Sequence, residues 1–181
     1  MRKVFYVSVV ALGLVALIAP AALAASPHFK HGGSPTCTIS GGGTSSTSTT
    51  CTGSLTGLGG GDVEIDTTVS GFAVYQCQNQ GGNTAPGQNR VLEGPATTPT
   101  NISGNEIKNG NLTFTTQPAA LTAASSVSGQ AAGCPNANWT GVNPQLTLTS
   151  IDLKIYQGGV LLFDCTASNP NGLSGTVALS C

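Results

Sequence analysis

His28 and His31 are the chain's only imidazoles, so they carry any acid–base, nucleophilic or metal chemistry that depends on histidine. A Ser-His-Asp or Cys-His centre needs its imidazole held inside a folded site. Both histidines fall instead in ASPHFKHGGSP, a Gly-, Pro- and Ser-rich stretch near the N-terminus. No Gly-x-Ser-x-Gly segment is present to seat a nucleophile. Cleavage after Ala25 would place His28 third in the mature chain, where it could hold a metal with the new amino terminus. That mode requires a deprotonated amide at the second position, and Pro27 has none. The expectation is a solvated leader that binds no metal and no cofactor.

The carboxylates offer two other chemistries. Asp62, Glu64 and Asp66 alternate along one strand, about 7 Å apart on a shared face. A calcium ion takes six to eight oxygen ligands, so this row would need loop carbonyls to complete a site. Its ordinary role is a solvated face that discourages edge-to-edge pairing. Glycoside hydrolysis needs two carboxylates across a cleft. Glu93 and Glu106 are the available pair, and nothing in the sequence brings them together. The chain reads as non-catalytic.

Recognition without catalysis has more material. CQNQGGNTAPGQN, residues 77–89, holds six side-chain amides, three glycines and no charge. GCPNANW, residues 133–139, also joins a cysteine to amides and ends on the single tryptophan. Planar amides and aromatic faces hold sugars, so Asn79, Asn83, Gln88, Asn89, Asn136 and Trp139 are the candidate ligand-binding residues. The likeness of the two segments suggests a Cys77–Cys134 disulfide that sets both loops at one end of the fold. The competing reading is structural: amides cap backbone groups where no ladder exists, and the glycines permit tight turns. With CTGSLTGLGGGDVEI, residues 51–65, these motifs resemble a group of small secreted bacterial proteins of unknown function. The resemblance spans residues 51–159. It implies secretion and a small domain, and carries over no catalytic residue.

The compartment follows from the N-terminus and the cysteines. Arg2 and Lys3 precede a nearly unbroken apolar run from Val4 to Ala19, then Pro20 and the small residues Ala22-Leu23-Ala24. This is the pattern of a signal peptide, residues 1–24, cleaved after Ala24 or Ala25. The run is short for a span of about 20 residues, so no membrane insertion is expected after cleavage. Cys37, Cys51, Cys77, Cys134, Cys165 and Cys181 all remain, and six cysteines without a Cys-x-x-Cys pair read as three disulfides. Residues 25–35 read as a flexible leader and residues 36–181 as one domain.

Charge narrows the partners. The mature chain keeps four basic residues against seven acidic, a net charge of about −3. Lys30, Arg90, Lys108 and Lys154 are scattered, whereas nucleic acid and anionic membranes call for clustered cations. The remaining partners are a second copy of the chain, the cell envelope or an extracellular glycan. Charged residues are 7% of the chain, so solubility rests on Ser, Thr, Asn, Gln and Gly. Asn101, Asn111 and Asn138 sit in Asn-x-Ser/Thr sequons.

The elements that must position these groups are strands. SGGGTSSTSTT, residues 40–50, reads as a long flexible loop. DVEIDTTV alternates with period two, and Ser70-Gly71 is expected to mark a bulge or bend where the chain crosses from one sheet to the other. Ser103 and Glu106 have capping-box spacing for one helical turn that stops at Asn109-Gly110; Leu112 and Phe114 then point inward. PQLTLTSIDLKIYQGGVLLFDCT reads as a hairpin with a three-residue loop, Gln157-Gly158-Gly159. That register places Tyr156 against Val160, Ile155 against Leu161, Leu153 against Phe163 and Ile151 against Cys165. It also sets Asp152 opposite Asp164, and it requires a bulge near Thr149-Ser150. Phe72, Tyr75 and Phe114 are assigned to the core. Six to eight short strands with little helix predict an antiparallel β-sandwich, immunoglobulin-like and disulfide-stabilised, with a small β-barrel as runner-up.

Overall fold

The computed structural model describes residues 26–181, and the expected signal peptide, residues 1–24, lies outside them. Eleven strands form, named in chain order β1 (His28–Phe29), β2 (Thr36–Ser40), β3 (Ser46–Thr56), β4 (Val63–Gln78), β5 (Thr84–Ile102), β6 (Leu112–Thr115), β7 (Ala119–Thr122), β8 (Ser126–Ser128), β9 (Thr140–Gln157), β10 (Val160–Ser168) and β11 (Gly175–Ala178). A short helix, α1 (Gly129–Ala132), precedes β9. Two antiparallel sheets pack face to face, and neither closes into a barrel. The first centres on β3, flanked by β1 and β2 on one side and by β6 and β7 on the other, with β11 beyond β2. The second runs β10-β9-β4-β5, and β8 pairs with β9.

The core lies between the sheets and follows the period-two pattern. Val63, Ile65, Thr67 and Val69 of β4 face Leu55 of β3 and Phe114 of β6 across it, and Ile151, Leu153 and Ile155 of β9 extend the floor. Thr47, Thr49 and Thr67 are buried among these apolar residues. Three disulfides staple the sandwich. Cys37–Cys51 joins directly paired residues of β2 and β3, Cys77–Cys134 ties the end of β4 to the turn after α1, and Cys165–Cys181 fixes the C-terminus to β10. Three such bridges suit an oxidising, extracellular environment.

Several local expectations are corrected. The leader is docked from His28 onward: β1 pairs with β3, Phe29 is buried, and its ring lies 4.7 Å from that of Phe163. Residues 40–50 are not a long loop. They form the β2–β3 hairpin, because threonine is β-branched and suits a pleated strand, and only the tip around Gly41-Gly42-Gly43 turns. The strands are longer and more numerous than expected, since β4, β5 and β9 each run on through bulges.

Gly71 shows how. The chain does not cross between sheets there; β4 stays in the second sheet for its full length. The ladder with β9 shifts between Ser70 and Gly71, leaving Thr149 as the extra residue. A Cβ on Gly71 would lie 2.1 Å from the Thr147 carbonyl oxygen, so only glycine fits the bulge. The extra residue brings Leu146 and Leu148 into phase with Ile151, the bulge that the β9 pattern required.

The β9–β10 hairpin departs from its expected register at the turn. Gly158 and Gly159 both have positive φ, 57° and 79°, which suits a two-residue turn with Gln157 opposite Val160. Leu161 therefore pairs with Tyr156 on the outer face, where it is exposed. An irregularity at Leu162 turns Phe163 and Cys165 to the inner face, opposite Ile155 and Leu153 rather than the expected Leu153 and Ile151. Asp164 consequently faces Lys154 rather than Asp152. The expected clash of like charges becomes a cluster in which Lys154 Nζ lies 3.4 Å from Asp152 and 3.9 Å from Asp164. Burial and then repulsion from Asp164 raise the Asp152 carboxyl above its usual range, against the opposing pull of Lys154.

Phe72 is the remaining correction. Tyr75 and Phe114 join the core, but Phe72 points to the outer face of the second sheet beside Leu92, its partner on β5. Its ring is covered by Arg90, whose guanidinium carbon lies 4.2 Å from the ring centroid, and Arg90 Nη1 donates to Pro170 O at 3.4 Å.

Candidate functional site

Two loops meet at the Cys77–Cys134 end of the sandwich. β4 ends at Gln78, and residues 79–83 turn the chain into β5. The Asn79 amide donates to Asn83 O at 3.0 Å, and Asn83 N donates to Asn79 Oδ1 at 2.9 Å. On the other side, Ser128 Oγ accepts from Ala131 N and starts α1, while Gly133 ends it in the left-handed region at φ 67°. Cys134 N then donates to Gly129 O, and Trp139 N to Asn136 O. The disulfide holds these two turns together.

Between them lies a shallow cleft of about 270 Å³, lined by Asn79, Gln80, Gly81, Asn136, Asn138 and Trp139. Three of the six candidate residues, Asn79, Asn136 and Trp139, therefore share one surface. The other three do not line it. Asn83 shapes the turn, Gln88 Nε2 donates to Pro86 O, and Asn89 Nδ2 reaches across to Gln130 O at the end of α1. Gln80 and Asn138 line the cleft without having been singled out as ligand residues. Their signal was adjacency to Asn79 and Trp139.

Much of the amide chemistry is spent on backbone. Asn79 Oδ1 accepts from Asn83 N, and Asn136 Oδ1 from Asn138 N at 2.9 Å. Among the described residues their NH₂ groups make no hydrogen bond, so these donors and the half-buried Trp139 ring are what the cleft offers a ligand. Such a surface can donate to hydroxyl or carbonyl oxygens and cover an apolar patch. It presents no ionisable group.

The carboxylates are distributed elsewhere. Tyr75, buried in the core, directs its single hydroxyl proton toward Ala124 O at 2.9 Å and Glu93 Oε1 at 3.3 Å. Burial, then the nearby Glu93 charge, raises the Tyr75 pKa. Glu106 lies in the turn capped by Ser103 and borders a cavity of about 530 Å³ at the opposite end, together with Asp62, Glu64 and Tyr156. Glu93 does not border it, so the two glutamates share no cleft. Asp62 Oδ1 accepts from Gly104 N at 2.8 Å, and Asp66 pairs with Lys154 across the β4–β9 ladder. Among the described residues no three His, Cys, Asp or Glu side chains are grouped to hold a metal ion. Asn101, Asn111 and Asn138 are all exposed.

The first sheet carries a second kind of surface. Its outward positions form cross-strand rows: Thr176, Thr38 and Thr50, then Ala178, Thr36, Thr52 and Thr115. Thr36 and Thr52 hydroxyls lie 3.3 Å apart, and those of Ser54 and Thr113 3.0 Å. No charged residue stands on β2, β3, β6, β7 or β11. No family model and no curated protein matches the chain.

Proposed function

We propose that the protein is a secreted, non-catalytic component of the cell surface or extracellular matrix, exported by its signal peptide. The observation that carries this reading is the outer face of the first sheet, a broad set of serine and threonine hydroxyls without charge. Bringing such a face against a neutral wall polymer or a second copy desolvates no ions, which are the costly groups to bury. The free edge of β10 supplies a contact for self-association. Ser180 pairs with Thr166 and covers the far part of that edge, leaving Val160 to Asp164 open with Val160 and Leu161 exposed. We also infer an immunoglobulin-like arrangement, supported by face-to-face antiparallel sheets whose chain changes sheet between β3 and β4, β5 and β6, β7 and β8, and β10 and β11. The resemblance to small secreted bacterial proteins points the same way.

Light scattering on the oxidised mature protein over a wide concentration range, with fractionation of the producing cells, tests the proposal. Concentration-dependent assembly weakened by Leu161→Lys, or retention with the envelope fraction, is expected. A monomer at every concentration that stays wholly in the medium would overturn it.

The second reading is a binding module for a neutral glycan, favoured by the convergence of Asn79, Asn136 and Trp139. Trp139 is the only tryptophan, so its fluorescence reports directly on the cleft. Titration with neutral oligosaccharides should give a saturable change that Asn136→Ala weakens; an unchanged spectrum removes this reading.

A further inference from the structure

A third cavity opens between the sheets at their β9 edge. β10 ends where Ser168 pairs with Ser150, so β9 from Leu146 to Thr149 keeps β4 on one side and has no strand on the other. Two loops take its place. The β2–β3 tip bonds there through Leu146 N to Thr44 O at 2.9 Å, and the β10–β11 loop through Leu173 N to Leu148 O at 2.7 Å. Between these covers is a space of about 360 Å³, floored by Ile39, Thr47, Leu146 and Leu148 and rimmed by residues 42–43 and 171–174.

Thr47 is what distinguishes it. The residue is 3% exposed, and its Oγ1 has no hydrogen-bond partner among the described residues. A buried hydroxyl without a partner costs stability that a valine of nearly the same shape would not. Thr49 and Thr67 share that condition but do not line the cavity. No lining residue is ionisable; Ile39, Leu146, Leu148 and Leu173 are aliphatic, and Thr47, Thr147, Asn171 and Ser174 are polar. The volume equals about a dozen water molecules, near the lower end of ligand pockets.

We propose that this cavity binds a small, uncharged molecule with a polar group that hydrogen-bonds Thr47 Oγ1, reached by rotation about χ1. The molecule's apolar atoms fill the space beside Ile39 and Leu173, and the polar group supplies the partner that Thr47 lacks. The site is separate from the amide cleft and from the hydroxyl face.

Cyclohexanol is the probe, followed by amide chemical shifts of the isotopically labelled mature protein. Saturable shifts centred on Thr47, Leu146, Leu148 and Leu173 are expected. Thr47→Val should weaken binding roughly fivefold, the worth of one hydrogen bond, while Thr49→Val leaves it unchanged. Cyclohexylammonium, the same ring with a charge, should not saturate the site. Gly42→Phe gives an independent check. A Cβ on Gly42 meets nothing within 4 Å, so a side chain can leave the backbone there, and the ring should block the mouth and abolish the shifts while the far-ultraviolet spectrum stays that of the parent. Failure of cyclohexanol to saturate, shifts centred elsewhere, or equal weakening by Thr47→Val and Thr49→Val would each overturn the proposal.

Discussion

Removing the Cys77–Cys134 bridge should destabilise the protein more than removing either other disulfide. Its cysteines are 57 residues apart in sequence, against 14 for Cys37–Cys51 and 16 for Cys165–Cys181. If the bridges act by restricting the unfolded chain, loop-closure entropy gives about 4.2 kcal/mol for the long loop and about 3 kcal/mol for each short one. Native packing does not favour this order. Cys37 and Cys51 are both fully buried, whereas Cys134 is only half-buried beside a fully buried Cys77. Lost packing alone would therefore make the Cys37–Cys51 deletion the costlier one. The assay is denaturant unfolding of the three paired Cys→Ala variants against the parent. The long-loop variant should lose about 1 kcal/mol more than the others, and its m-value should rise most because its unfolded chain gains most freedom. Equal losses, or the largest loss at Cys37–Cys51, would refute the entropic account and show that the bridges act on native contacts.

Three further outcomes follow from named contacts. Arg90→Ala should cost about 1 kcal/mol in thermal unfolding, the scale of an exposed cation–π contact, and an unchanged Tm would show that Phe72 is held without it. Thr67→Val should raise stability by about 1 kcal/mol, since it removes a buried hydroxyl without a partner; a loss would mean that the hydroxyl has a partner in solution. Asp152→Asn bears on pH. A carboxyl whose pKa is raised on folding binds more protons folded than unfolded, so stability falls as pH climbs through its range. The Asn variant should be the more stable at neutral pH, with the gap closing below about pH 4; a gap that persists in acid would assign the effect to shape.

How much of this was legible depended on whether chemistry and period agreed. DVEIDTTV declared its face because acidic and apolar residues alternate, and the capped turn at Ser103 was visible from residue types alone. STSTT hid its face because both sides of β3 carry hydroxyls; Thr47 and Thr49 face inward and Ser48 and Thr50 outward with no contrast in polarity. The hairpin failed differently. Its hydrophobic set was correct for Phe163 and Cys165, but two adjacent glycines admit either a two- or a three-residue turn, and a bulge then compensated. Burial of Phe72 was foreseen and its face was not: alternation through GFAVYQC places it opposite Ala73 and Tyr75, and Arg90, distant in sequence, lies over its ring. The amide cleft was half legible. The likeness of two cysteine-led, amide-rich segments brought Asn79, Asn136 and Trp139 together, while the bonds that tie Asn83 N to Asn79 and the Asn89 side chain to Gln130 O depend on turn geometry that no residue type specifies.

The three candidate surfaces have one physical origin. A sandwich this poor in charge must satisfy its strand ends and edges with neutral groups, and it does so differently at each place. Amides close the β4–β5 end, hydroxyls cover the first sheet, and loop backbone covers the β9 edge beyond β10. Two of these solutions bury no unmet group: the amide oxygens of Asn79 and Asn136 bond backbone while their NH₂ groups stay open in the cleft, and the sheet hydroxyls face water. At the β9 edge the cover leaves a gap, and the hydroxyl behind it, on Thr47, is buried without a partner. Composition alone would have predicted a hydrogen bond there. An unmet one beside aliphatic side chains is the feature that separates a place for a ligand from a place that is merely polar.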